Sequence, residues 1–155
     1  MSIIVKKEDF INIKKILPSM NKIILTLLLA GFGAQLIKLI GLLIQNKKLT
    51  FHDVFVTGGM PSSHSAFVVS LSTIIYLVDG ASTAFAISLV LAFITIRDAY
   101  GVRRSVGNEG KQIEKLLKLH KVKSKFHYAL GHTPLQVLVG SVIGFVVALL
   151  VYLFL

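Results

Sequence analysis

A polytopic all-α membrane bundle of about four spans, with amphipathic helices at the interface, follows from three properties of this chain. Hydrophobic residues make up 54% of its 155 residues, and the mean hydropathy is +0.78, too apolar for an ordinary soluble domain. Apolar runs near the ~20 residues that cross a bilayer recur at 23–44, 62–78, 81–96 and 134–155. The intervening segments are basic, with 17 Lys and Arg against 7 Asp and Glu. In a membrane protein that excess reads as contact with anionic lipid headgroups, topology signals and a phosphate site rather than as a nucleic-acid surface. There is no cysteine, which removes disulfides, a thiol nucleophile and thiolate metal sites.

Residues 1–22 form an N-terminal amphipathic segment, with Lys6, Lys7, Lys14 and Lys15 among Ile3, Ile4, Phe10, Ile11, Ile13, Ile16 and Leu17, and Pro18 is expected to end its helix. The membrane-embedded unit is 23–155. Its first span is interrupted by Gln35 and Lys38, and it starts too late and runs too long for a cleavable signal peptide. A polar loop, 45–60, leads to the second span, which ends at the turn Asp79-Gly80. The third span ends at Arg97-Asp98. Between 101 and 131 the chain is basic. Its stretch from 111 to 128 sets Ile113, Leu116, Leu117, Leu119, Val122 and Phe126 among six lysines, the pattern of an amphipathic helix on a lipid surface. Thr133, Pro134 and Gln136 open the fourth span as N-cap, first helical residue and capping-box partner. No internal repeat or low-complexity linker is present.

Counting spans places the polar residues. If the first helix ends on one membrane face, Lys38, Ser62, Ser63 and His64 lie there. The third helix returns Arg97 and Asp98 to the same face, and Arg103, Arg104 and His132 follow. Twelve basic residues fall on that face, among them Lys38, Lys47, Lys48 and nine from Arg97 to Lys125. The positive-inside rule then puts the face in the cytoplasm, with the five lysines of the N-terminal region (Lys6, Lys7, Lys14, Lys15, Lys22) opposing it.

Two histidines, each at the start of a span on one face, carry the chemical reading. A neutral imidazole can attack phosphorus, and a protonated one can donate to the departing alkoxide. Lys38, Arg97, Arg103 and Arg104 are candidates to neutralise phosphate oxygens. Backbone N–H groups from Gly58 to Ser63, with Gly59 among them, could complete a cradle at a helix N-terminus. Each feature also has a structural reading: Lys38 snorkelling, Arg97 and Asp98 pairing at a helix end, Arg103 and Arg104 as topology charges, and Thr133 to Gln136 as a helix start. The carboxylates Asp53, Asp98 and Glu109 lack a spacing diagnostic of a metal, and no cofactor is implied. His52, His120 and His127 have no assigned role.

Gly58-Gly59-Met60-Pro61-Ser62-Ser63-His64-Ser65-Ala66, Arg97-Asp98-Ala99-Tyr100-Gly101-Val102-Arg103-Arg104 and Gly131-His132-Thr133-Pro134-Leu135-Gln136-Val137 resemble the divergent branch of the type-2 phosphatidic acid phosphatase superfamily. That superfamily also includes vanadium haloperoxidases and bacterial acid phosphatases. The resemblance runs from about Leu25 to the C-terminus. It implies metal-independent hydrolysis of a phosphomonoester through a phospho-histidine, with His132 as nucleophile and His64 as general acid. Ser62, Ser63 and Gly59 would join the phosphate site. The departures are specific. Of the first superfamily motif only Lys38 matches, since Gln45-Asn46 stand where Arg-Pro is usual. Lys125-Phe126 replace Ser-Arg before the second histidine. Gln136 replaces the aspartate four residues after it, a role for which Asp98 is the candidate substitute.

The expected function is therefore a lipid phosphate phosphatase of a bacterial plasma membrane, with phosphatidate, phosphatidylglycerophosphate and an isoprenoid phosphate all open as substrates. Expected partners are a phosphorylated lipid and anionic membrane lipids, not nucleic acid. A homo-oligomer stays open, because many superfamily members have six spans. The alternative is a non-catalytic phospholipid- or phosphate-binding membrane protein of the same fold. A transporter is disfavoured, since the polar residues cluster at one end of the spans instead of through their depth.

Overall fold

The structure is a computed structural model. It describes residues 7–44, 59–122 and 131–155, the side chains of 7–18 excepted. All regular structure among these residues is helical: α1 (Lys7–Ile44), α2 (Ser63–Asp79), α3 (Thr83–Arg97), a π-helical turn (Asp98–Val102), α4 (Arg103–Leu119) and α5 (Pro134–Phe154). Residues 45–58, which include the expected polar loop with Gly58 and Asp53, and residues 123–130 lie outside the described residues.

Three helices are long and apolar enough to cross a bilayer: Ser19–Ile44 of α1, the run Thr83–Leu119, and α5. The expected fourth span is α2, apolar but only 17 residues, roughly 25 Å long. It packs against α1, α3 and α5 and is the centre of the bundle.

The interior is made of small residues and the periphery of large ones. Along α1 the buried positions are Thr26, Ala30, Ala34 and Lys38, one stripe at four-residue spacing. On α5 they are Val137, Gly140, Gly144, Ala148 and Val151. Phe32, Phe93 and Phe154 are 71%, 71% and 79% exposed. Lipid tails are as apolar as a leucine side chain, so burying large side chains is not what joins helices there. Close backbone approach is. A Cβ on Gly140 would overlap the Ser62 carbonyl oxygen, and one on Gly144 would overlap the Ala66 carbonyl oxygen. The two glycines thus let α5 lie directly on the first turns of α2. Buried hydroxyls are satisfied within their own helices: Thr26 Oγ1 donates to the Lys22 carbonyl (2.7 Å), Ser70 Oγ to Phe67 (2.9 Å) and Ser88 Oγ to Phe85 (2.8 Å).

At the far face, Gly80 (φ 67°) donates its N–H to the Tyr76 carbonyl and closes α2, and Ser82 caps α3 by accepting the Phe85 N–H at 3.2 Å. Tyr76 and Phe85 meet across this turn with ring centroids 4.9 Å apart and planes tilted by 49°, and Lys22 stands 5.5 Å over the Tyr152 ring.

Three boundaries differ from expectation. The helix does not end at Pro18. Proline's fixed φ suits a helix, and continuing into the span keeps neighbouring peptide groups paired. The third span does not stop at Arg97 but widens into the π turn and continues as α4. The amphipathic helix begins at Arg103 rather than Lys111 and ends at Leu119 rather than Tyr128. Lys121 adopts φ 55° there, its N–H reaches the Lys118 carbonyl, and Val122 N–H reaches Leu117, which is a Schellman closure.

Candidate active site

Two main-chain hydrogen bonds bring three distant segments together. Ser62 N–H donates to the Gln136 carbonyl (3.2 Å), joining the start of α2 to the start of α5. His132 N–H donates to the Ala99 carbonyl (3.0 Å), joining the residues before α5 to the π turn. Gly131 makes the second junction sterically feasible, because a Cβ there would overlap the Arg103 and Arg104 backbone. The result is a small cleft at one end of the bundle, lined by His64, Thr95, Asp98, Ala99, Arg103 and His132. Both histidines expected to carry the chemistry line it.

His132 is buried, at 4% exposure, and its Nδ1 has no hydrogen-bond partner among the described residues. An unpaired buried ring nitrogen is uncommon enough to call for an explanation, and a functional site is one. Burial pushes the His132 pKa below the ordinary histidine value of 6.5, and the charges of His64 and Lys38 act in the same direction. The Gln136 side chain and the Gly59 backbone oppose the shift by favouring the protonated ring, and burial outweighs them. His132 is therefore neutral at pH 7.

His64 lies in the first turn of α2, on the solvent side of the cleft, where Arg103, Asp98 and Lys38 all act on it electrostatically. Lys38 is only 9% exposed. Its stem runs against Gly59, where a Cβ would stand 3.1 Å from Lys38 Cε. Gly59 also has φ 85°, so this position favours glycine on two counts. A buried ammonium next to two imidazoles makes this end of the bundle an anion-attracting site.

The remaining expected residues divide. Ser62 is fully buried, and its hydroxyl accepts from Ser65 N–H (3.4 Å) and Ser65 Oγ (2.9 Å), so it serves as the helix cap. Ser63 is half-buried at the edge of the site, and the first-turn N–H groups of Ser63 and His64 have no carbonyl within their own helix. Asp98 accepts from Arg103 Nε at 2.5 Å, and the expected bond from Asp98 to His132 is not made. Arg103 lines the cleft. Arg97 and Arg104 are exposed and outside its lining; Arg97 lies over the Tyr100 ring at 5.3 Å and against Gly101. Gln136 and Thr133 form the expected capping box, at 2.9 and 3.3 Å. Among the described residues no group of three or more His, Cys, Asp or Glu gathers as metal ligands.

Sequence reasoning missed Thr95 and Ala99 as cleft-lining residues, and it missed Gly131 and the Gly140–Gly144–Ala148 stripe as the contacts that set the cleft. The stripe had a readable signal in its four-residue spacing. Thr95 had none, since one threonine near a helix end is unremarkable.

The model of the family described as "Divergent PAP2 family" matches residues 19–147. The uncharacterized membrane protein YuiD of Bacillus subtilis (strain 168) is 39% identical over 149 residues, covering 84% of this chain and 94% of that protein. No solved structure matches the chain.

Proposed function

The chain belongs to the divergent PAP2 family of helical membrane proteins, and on that premise we propose that it hydrolyses a phosphomonoester on a membrane lipid through a phospho-histidine. The observation that carries this reading is the buried His132 Nδ1, unpartnered and neutral at pH 7, in a cleft shared with His64 and Arg103. In the first step His132 attacks phosphorus, the bond from phosphorus to the lipid oxygen breaks, and His64 gives its proton to the departing alkoxide. In the second, His64 takes a proton from water, the hydroxide attacks the phospho-histidine, and inorganic phosphate leaves with His132 restored. Lys38, Arg103 and the first-turn N–H groups of α2 hold the equatorial oxygens. The basic residues gathered at this end support, by the positive-inside rule, a site on the cytoplasmic face of a bacterial plasma membrane, and the basic amphipathic α4 suits contact with anionic lipids there.

The test is phosphate release from phosphatidate, phosphatidylglycerophosphate and an isoprenoid phosphate by the detergent-purified protein, with chelator present. Release is expected, and the acid limb of kcat/KM falls below pH 6.5, because protonation removes the attacking lone pair and burial holds that protonation below 6.5. An acid limb above 6.5 removes His132 from the nucleophile's role. The pairing of Asp98 with Arg103 instead of His132 favours a second reading, a protein that binds the phosphate without turning it over. Vanadate or phosphate binding with no release from any of the three lipids supports that reading.

A further inference from the structure

A groove of about 360 Å³ runs along the lipid-facing side of α1 and α2, walled by Leu27, Leu28, Phe32, Phe67 and Val68 over a floor at Gly31. At its polar end it is bounded by Ser63, His64 and Thr95, and two of these, His64 and Thr95, also line the cleft. The groove and the cleft therefore meet at His64 and Thr95, and apart from Gln35 the groove is apolar away from that end. A second groove of about 430 Å³, between α2, α3 and α5, passes Tyr76, Phe85, Phe93 and Phe145 and reaches none of the cleft residues. The two have similar sizes and walls, and only one reaches a cleft histidine, His64.

We propose that this groove holds one hydrocarbon chain of a lipid phosphate while its phosphate sits in the cleft, and that Gly31 and Phe67 set which chains fit. The inference rests on the phosphate-site reading above and adds to it where the chain lies and what selects it. Leu28, Phe32 and Phe67 are 48%, 71% and 43% exposed, so the groove is open sideways to the bilayer and a chain enters without leaving hydrocarbon. The floor exists because residue 31 has no side chain: a Cβ there would stand 3.2 Å from Phe67 Cδ2, closing the space between the two helices. A branched residue at 31 puts atoms into the groove and displaces the Phe67 ring, a side chain and not a backbone atom.

The test uses the full chain in nanodiscs and a hexadecyl phosphate carrying a mid-chain diazirine, with the matching hexadecanol probe as control. The phosphate probe is expected to label Leu28, Phe32 and Phe67 above the alcohol probe, and Leu28→Trp, a change at the exposed groove wall, is expected to suppress that labelling. Labelling that concentrates on Phe85 and Phe93, or that is equal for the two probes, overturns the proposal. Labelling needs no turnover. A wild-type protein that labels in the groove yet releases no phosphate sinks the phosphatase reading and leaves the groove standing. One that releases phosphate but labels elsewhere does the reverse. If turnover is present, Gly31→Val is expected to lower kcat/KM on long-chain lipid phosphates by about tenfold or more and to leave a water-soluble phosphomonoester unaffected. Equal losses on both substrates count against the groove.

Discussion

Replacing His132 with alanine is expected to reduce phosphate release by on the order of 10³-fold or more, with inorganic phosphate binding retained, vanadate binding weakened and the fold kept. The size follows from the role: without the imidazole no covalent intermediate forms, and only binding and electrostatic stabilisation by Lys38 and Arg103 remain. Folding should survive, because alanine keeps the backbone N–H to Ala99 that fixes this residue, and only the ring's interactions with the Gln136 side chain and the Gly59 backbone are lost. His64→Ala gives a different signature. A general acid matters most when the leaving group is a poor one, so an alkyl phosphate should slow by roughly 10²–10⁴-fold while an aryl phosphate with an acidic leaving group slows much less. Turnover by His132→Ala at a tenth of the wild-type rate, judged against that order of magnitude, would remove the phospho-histidine from the mechanism.

A single methyl group at Gly144 is expected to destabilise the bundle by about 3 kcal/mol, the upper part of the range for overpacking. The Cβ of Gly144→Ala would overlap a main-chain oxygen, that of Ala66, and a main-chain atom in a central helix cannot rotate away as a side chain can. The helices must separate instead, and every contact between α2 and α5 loosens together. Gly33→Ala is the matched control, since nothing lies within 4 Å of a Cβ there. It should leave stability unchanged or raise it by up to about 1 kcal/mol through helix propensity. Reversible unfolding in mixed micelles measures both. Equal midpoints for the two variants would show that α5 does not rest on α2 as closely as described.

The residues explain how far the sequence could be read. The spans were legible because lipid demands long apolar helices, and length is a property of composition. The convergence of Lys38, His64, Asp98, Arg103 and His132 at one end was legible because span counting alone fixes which face a residue reaches. Arg97 and Arg104 share that face yet stand outside the cleft. Which side of a helix a residue occupies depends on the π turn, and nothing in Asp98-Ala99-Tyr100-Gly101-Val102 announces one extra residue per turn. Ser62 was ambiguous for a related reason: a serine before a helix suits a phosphate cradle and an N-cap equally, and the bonds to Ser65 show that its hydroxyl is the cap.

The junctions that shape the cleft consist of peptide groups: Ser62 N–H on Gln136, His132 N–H on Ala99. A scaffold pinned through the main chain is indifferent to most side chains at its pinning points. This architecture can therefore exchange the groups it presents to an anion, arginine for lysine or aspartate for glutamine, without redrawing the cavity that presents them. Proline is the exception, having no N–H to give. Proline at 62 or 132 should collapse the cleft where alanine at the same positions leaves its outline intact, a contrast visible in inorganic phosphate binding.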